Sequence, residues 1–269
     1  DITGLQTFPE YYSKGIPLGT MSEWGWHSSP NTMTFSLLNV FRTYNVHDRK
    51  IDYVHSFTGK ADTLKTAATS FLRENPHRIH LGMIGLQIYK RDGTIISMND
   101  IKDPVQKLNI WTGEITSRYN VEGVQVDVKT VCHPENDLIS IRVESELIEE
   151  KRLKVKINFP LGVSSPNGYD FNSPQKHTTT IIREAKNEVL FERKQDNDIY
   201  YSKIITGDAT LLNTEKHLSY LEPKSGKSVY EFSCQFSKQI PENKPVSFEE
   251  TEKASCESFK NFWSTGGAV

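Results

Sequence analysis

The residues best suited to chemistry fall in one short stretch, Gly19-Thr20-Met21-Ser22-Glu23-Trp24-Gly25-Trp26-His27-Ser28-Ser29-Pro30-Asn31, which gathers two of the four tryptophans, a carboxylate and an imidazole around a glycine. Indole faces stack on the apolar C–H patches of sugar rings while neighbouring polar groups take the hydroxyls, so the stretch is a candidate carbohydrate subsite built from Glu23, Trp24, Trp26 and His27. In an extended segment Trp24 and Trp26, which straddle Gly25, would point the same way and form one aromatic wall. The rival reading buries both in the core. Glu23 either orients sugar hydroxyls, acts on a glycosidic oxygen, or pairs with a nearby Arg. Trp111 lies in an apolar stretch that reads as regular strand, which assigns it to the core.

Glycoside cleavage needs two carboxyl groups facing each other across the scissile bond, one protonated and one ionised. No such pair stands out, and no catalytic residue is assigned. Glu149-Glu150, Asp196 with Asp198, and Glu249-Glu250-Glu252 lie in polar stretches and read as solvated surface acids. His77, His80, His133, His177 and His217 lack HxxxH or HxH spacing, and His47-Asp48 alone is no metal signature, so neither a metal nor another cofactor is expected. There is no GxGxxG, P-loop, nucleophile-elbow or heptad pattern. Cys132, Cys234 and Cys256 are an odd number without CxxC spacing; Cys234 shares the apolar side of a strand with Tyr230, Phe232 and Phe236, and one disulfide among the three remains open.

A chain of 269 residues with formal charge −2 offers no electrostatic footprint for phosphate backbones or anionic membranes, and no apolar run is long enough to span a bilayer. Nucleic acid and membrane are not expected partners. The sequence begins at Asp1 without a leader, which fits trimming and leaves secretion open.

To position the Glu23–His27 stretch, the remaining chain supplies mostly strands. From about Thr34 to Phe236 apolar residues recur at period two between turn signals, the pattern of antiparallel strands with one buried face. Gly85–Ile96 reads as a hairpin whose Asp92-Gly93 suits a primed turn, and Leu108–Tyr119 returns as Val124–Val131. Further strands are expected at Leu138–Val143, Leu153–Phe159, Thr178–Arg183, Val189–Arg193, Tyr200–Ile205, Thr210–Leu212, Leu218–Leu221 and Val229–Phe236. So many strands require a large two-layer all-β sandwich or a barrel, because each apolar face must be covered. Ala61–Asn75 has helical spacing and stops at Pro76, while Phe248–Trp263 reads as a second helix with acids in its first turns that leaves the sandwich. Pro160–Pro174 reads as a surface loop.

Asp1–Phe8, Glu23-Trp24-Gly25-Trp26-His27, Leu72–Gly82, Ile110-Trp111-Thr112-Gly113-Glu114-Ile115 and Phe262–Val269 together resemble the N-terminal domain of bacterial glycoside hydrolases of the six-hairpin type. That resemblance implies a β-supersandwich similar to the galactose mutarotase fold over residues 1–245 and a helical linker over 246–269, leading to an (α/α)6 catalytic barrel absent from this chain. It also implies that the barrel carries the catalytic carboxylates, that a sandwich loop walls the oligosaccharide site, and that the protein is periplasmic or secreted. The function expected is a non-catalytic domain of a larger glycoside hydrolase. The alternatives are a free-standing carbohydrate-binding module and an aldose epimerase using a sheet histidine such as His80.

Overall fold

The computed structural model describes residues 1–10, 19–165, 167–224, 226–242 and 244–266, so the last three residues of the Phe262–Val269 stretch lie outside the described residues. The strands run in chain order as β1 Trp26–His27, β2 Phe41–Val46, β3 Arg49–Val54, β4 His77–Arg78, β5 Met83–Ile88, β6 Ile101–Asn109, β7 Glu114–Val121, β8 Val124–Cys132 and β9 Leu138–Glu144. They continue as β10 Leu153–Asn158, β11 Leu161–Gly162, β12 Tyr169–Asp170, β13 His177–Ala185, β14 Glu188–Gln195, β15 Asp198–Ile205, β16 Ala209–Glu215, β17 Leu218–Pro223 and β18 Val229–Ser237. The helices are α1 Thr63–Glu74, α2 Glu146–Glu149 and α3 Phe248–Thr265.

Two antiparallel sheets carry the fold, an eight-stranded one in the order β13-β14-β15-β18-β9-β8-β7-β6 and a four-stranded one in the order β16-β17-β10-β5. Alternation explains why they face each other. On β8, Val124, Val126 and Val128 are buried between Gln125, Asp127 and Lys129, and on β18 Tyr230, Phe232, Cys234 and Phe236 turn inward. Ile84, Leu86 and Ile88 of β5 and Leu153, Val155 and Ile157 of β10 complete the same hydrophobic core from the smaller sheet. The architecture is therefore the expected all-β sandwich, with its apolar faces turned onto one another. The short α2 carries the chain from the large sheet to the small one, burying Leu147 and Ile148 on the way.

The small sheet ends at β5, and residues 3–8 cover that edge. Gln6 N donates to Ile84 O (2.8 Å), Leu86 N donates to Thr7 Oγ1 (3.2 Å), and Leu5 and Phe8 enter the core. The approach is close enough that a Cβ on Gly85 would sit 2.5 Å from Gln6 O and 3.0 Å from Thr7 Cα. Both are backbone atoms that cannot rotate away, so Gly85→Ala should lower stability by about 1–3 kcal/mol in urea denaturation. An unchanged midpoint would mean that the segment can move off β5 freely.

Asp62 caps α1 by accepting from Lys65 N, so the helix starts two residues later than Ala61 and ends one before Asn75. Other expectations need correction. Leu108–Tyr119 is not one strand: the chain turns at Ile110–Gly113, and Trp111, placed in the core by its sequence, is 58% exposed on that turn. At Asp92-Gly93 only Gly93 takes a positive φ (+82°), while Asp92 uses its carboxylate on Thr94 N and Oγ1, so the turn is not of the doubly positive primed kind. His47 and Asp48 do have positive φ, 45° and 61°, and form the tight turn of the β2–β3 hairpin. Pro160–Pro174 is not wholly surface loop, since β11 and β12 pair within it and Leu161 and Gly162 are buried.

Helix α3 does not depart from the sandwich. It opens with a capping box between Ser247 and Glu250 and lies across the outer face of the large sheet, burying Phe248, Thr251 and Ser255. Lys129 pairs with Glu252 (3.0 Å), Ser140 Oγ donates to Thr251 Oγ1 (2.9 Å), and Ser255 Oγ donates to Thr112 O (2.9 Å). Its last turn brings Trp263 against Trp111, with ring centroids 5.8 Å apart, and leaves Phe262 exposed. All three cysteines are free; Cys234 is buried as expected, and burial pushes its thiol up to about 12.

Candidate functional site

The Glu23–His27 stretch is a tight turn followed by the two-residue strand β1, and that geometry separates side chains that the sequence places together. Gly25 N donates to Ser22 O (3.2 Å) and Trp26 N to Trp24 O (3.0 Å), so Trp24 is not in extended backbone and the single aromatic wall does not form. From there the chain pairs with β4, Trp26 opposite Arg78 and His27 opposite His77. Successive strand residues face opposite ways, which puts Trp26 and Arg78 on one side of the ladder and His27 and His77 on the other.

Trp24 lies half-buried against the core, 6.4 Å from the Tyr200 ring, and its indole N–H donates to Asp137 Oδ2. Ser22 Oγ donates to the same oxygen (2.6 Å), so Asp137 ties the turn to the segment leading into β9. Beside Trp24 lies an open groove of about 360 Å³ bounded by residues 135–137 and 235–239.

Trp26 is 47% exposed. The Arg78 guanidinium sits 4.3 Å from its ring centroid, Arg78 Nη1 also donates to Ser22 O, and the indole N–H donates to Glu23 O (3.0 Å). The indole is therefore fixed on one face by a cation and held by its own N–H, with nearly half of its surface open. Glu23 is exposed beside it, and no ion pair among the described residues includes it, so the Arg pairing weighed from sequence is not formed.

His27 is 2% exposed, with Nδ1 2.7 Å from Asp198 Oδ2 and Nε2 3.2 Å from Asp196 Oδ2. Asp196 and Asp198 are therefore not idle surface acids; they span the β14–β15 turn and clamp the loop's histidine from both ends. Its ring also meets His77 edge-on at 5.1 Å. A His flanked by two carboxylates invites comparison with a metal site, yet among the described residues no group of three or more His, Cys, Asp and Glu side chains is placed to hold an ion.

Three of the other acids weighed for catalysis also have structural partners. Glu150 pairs with Arg152 (2.6 Å), Glu252 with Lys129, and Glu250 closes the α3 capping box. His80 is fully buried with its ring edge-on to Tyr169, so it does not present itself on an open face as the epimerase alternative requires.

A second polar cluster, unannounced by any motif, lies inside the large sheet. Arg193 of β14 is 1% exposed and faces inward between Thr179 of β13 and Tyr200 of β15. Its five N–H groups meet five acceptors: Tyr200 Oη (3.3 Å), Thr178 O (2.6 Å), Thr179 Oγ1 (2.5 Å), Pro160 O (3.2 Å) and His177 Nδ1 (2.8 Å). No carboxylate pairs with it among the described residues. His177 stacks on His217 at 3.8 Å, and burial, reinforced by the Arg193 charge and by His217 and Lys216, pulls its pKa down to about 3. With every donor used, this cluster builds structure and leaves no hydrogen-bond donor over for a ligand.

Arg78, Asp137, Asp196 and Asp198 hold the candidate loop, and sequence reasoning did not connect them to it. The Asp137 and Asp198 contacts close over separations of 113 and 171 residues, for which one sequence carries no signal.

No protein-family model matches this sequence, and no curated protein matches it. Among solved structures the chain is similar to a kojibiose phosphorylase from the human microbiome, at 11% identity over 69% of this chain and 28% of that one, with a TM-score of 0.45. It is also similar to a bacterial glucoamylase complexed with acarbose, at 10% identity over 68% of this chain and 32% of that one, with a TM-score of 0.48. This chain spans less than a third of the length of either protein.

Proposed function

We propose that this chain is a non-catalytic β-sandwich domain of a larger glycoside hydrolase, and that the Glu23–His27 turn contributes to its carbohydrate site. The observation that carries the reading is Trp26, an indole immobilised by Arg78 and by its own N–H yet nearly half exposed beside the Glu23 carboxylate. An aromatic face held still beside a free carboxylate suits a sugar ring, because stacking and hydroxyl recognition are then prepared before binding. Trp24 and His27 have the complementary task of anchoring the turn to Asp137 and to Asp196 and Asp198. The structural partners of Glu150, Glu250, Glu252, Asp196 and Asp198 favour a domain that positions substrate and leaves bond cleavage to carboxylates elsewhere.

The exposed apolar side chains of Ile110, Trp111 and Phe262 at the end of α3 favour a domain packed on further protein over a free-standing module, since single domains rarely leave such surface uncovered. On this reading α3 is the linker toward the catalytic domain, resting on the sandwich.

The test is titration of the chain with maltotriose, cellotriose and xylotriose, followed by the indole resonances in NMR spectra. At least one sugar should shift the Trp26 indole N–H saturably, and Trp26→Ala should weaken that sugar's binding roughly fivefold to tenfold while moving stability by no more than about 0.5 kcal/mol. Equal affinity in the folded variant would remove Trp26 from the site.

A further inference from the structure

Gln235 occupies an unusual position. It stands near the end of β18, pointing outward between Cys234 and Phe236, whose side chains enter the core, and it is 8% exposed. Its backbone pairs with β9 and β15, but its carboxamide has no hydrogen-bond partner among the described residues. Gln195 of the same sheet makes the contrast: it is 4% exposed, and its carboxamide accepts from Gly162 N (3.0 Å) and donates to Gly162 O (2.7 Å). The Gln235 amide atoms are not among the buried unpartnered atoms of the described residues, so they reach the solvent of the groove and are open to a ligand.

Its surroundings show what such a ligand would meet. Gln235 lines the Trp24 groove, with Asn136, Asp137, Ser237 and Gln239. The aromatic wall is half-buried and fixed by its N–H on Asp137. Three carboxamides stand in the lining; that of Asn136 is held by His133 Nδ1 (3.1 Å), while those of Gln235 and Gln239 each offer a donor and an acceptor in one plane, which matches a pair of adjacent hydroxyls. Among the described residues lining the groove Lys238 is the one cation, outnumbered by the acids Glu135 and Asp137, so the charge there does not favour an anionic ligand. A rigid indole beside donor–acceptor pairs without net positive charge fits a neutral polyhydroxylated ring.

We infer that the Trp24–Gln235 groove is a second carbohydrate subsite, binding one glycosyl unit of a neutral oligosaccharide through the Trp24 face and the Gln235 carboxamide, apart from the Trp26 surface. This rests on the reading that the domain meets carbohydrate, and it adds a site to that reading. Trp24 then has two roles, anchoring the turn through its N–H and presenting what remains of its ring to the groove. Gln235 presents to the groove a carboxamide engaged by no described residue, which a bound hydroxyl pair would meet.

The experiment uses the whole chain labelled with ¹⁵N and titrated separately with maltotriose, cellotriose and xylotriose. At least one should shift both the Trp24 indole N–H and the Gln235 side-chain amide along one saturable curve. Gln235→Leu should weaken that curve roughly tenfold without lowering the melting temperature, because the amide it removes bonds to no described residue. Gln239→Ala, at an exposed position, should also weaken it and stands in if Gln235→Leu folds poorly. Trp26→Ala should leave the Trp24 and Gln235 shifts in place. Shifts confined to Trp26 would overturn this subsite and leave the proposed function standing, whereas shifts at Trp24 and Gln235 alone would support the subsite and remove Trp26 from the carbohydrate site. Unchanged affinity in both groove variants, or no shift at either indole with any of the three sugars, would overturn the subsite.

Discussion

Arg193→Met should cost the folded protein about 3–5 kcal/mol, more than either Gly85→Ala or Trp26→Ala. Methionine can occupy much of the arginine's volume, but it donates nothing, so Thr178 O, Pro160 O, Thr179 Oγ1, Tyr200 Oη and His177 Nδ1 each lose a hydrogen bond inside a site that is 1% exposed. The ring contacts to Phe159 (5.1 Å) and Tyr200 (5.9 Å) go as well. Tyr200 Oη keeps its own bond to Leu81 O (2.7 Å), which limits the damage on that side. Urea denaturation at pH 7 measures the loss. A value below about 1 kcal/mol would mean that the acceptors find new donors and that the cluster is less constrained than its distances indicate.

The same cluster should make stability fall as the solution is acidified from pH 7 to pH 5. His177 is 4% exposed and its pKa lies at about 3 in the folded protein, against 6.5 when unperturbed. Between those values the unfolded chain carries a proton on this residue that the native chain refuses, so the native state is disfavoured progressively as pH drops below 6.5. From pH 6.5 to pH 5 that amounts to about 2 kcal/mol for one such group. His217, lowered chiefly by burial, acts in the same direction. The lowered carboxyl groups, such as Asp170 and Asp208, lose their stabilising effect only as pH falls below their ordinary range, so they contribute little above pH 5. His177→Gln keeps an acceptor for Arg193 and removes the titration, so the difference in unfolding free energy between pH 7 and pH 5 should shrink in that variant. An identical difference in both proteins would locate the pH sensitivity elsewhere.

Much of the sandwich was legible because strands bury one face. Val124, Val126 and Val128, or Tyr230, Phe232, Cys234 and Phe236, announce their inward side by alternation alone, and α1 announces itself by Leu64, Ala67, Ala68, Phe71 and Leu72. What alternation cannot show is which strands meet, and the candidate site depends on that. Trp24 and His27 are neighbours in sequence, yet one is fixed by Asp137 and the other by Asp196 and Asp198, on different connections of the large sheet. Trp111 misled for a related reason: a large apolar residue in an apolar stretch reads as core, but the turn at Ile110–Gly113 carries it outward to meet α3. Arg193 gave no sign at all, because a polar residue inside a strand pattern looks like a solvent-facing position until its partners are known.

The segment that covers β5 also fixes an order of events. Gln6 waits for Ile84, 78 residues later, and Gly4 accepts from Thr130 across 126 residues. When the chain leaves the ribosome, Leu5 and Phe8 emerge long before the surfaces that will bury them exist, and β5, once made, has a bare edge until they return. Contacts this distant in sequence slow folding, because a long loop must close before it is rewarded. The interval between synthesis of β5 and completion of β10, its partner in the ladder, is therefore when a nascent chain is most exposed to pairing with its neighbours, and a stretch made before β5 is secured only once β5 and β8 exist.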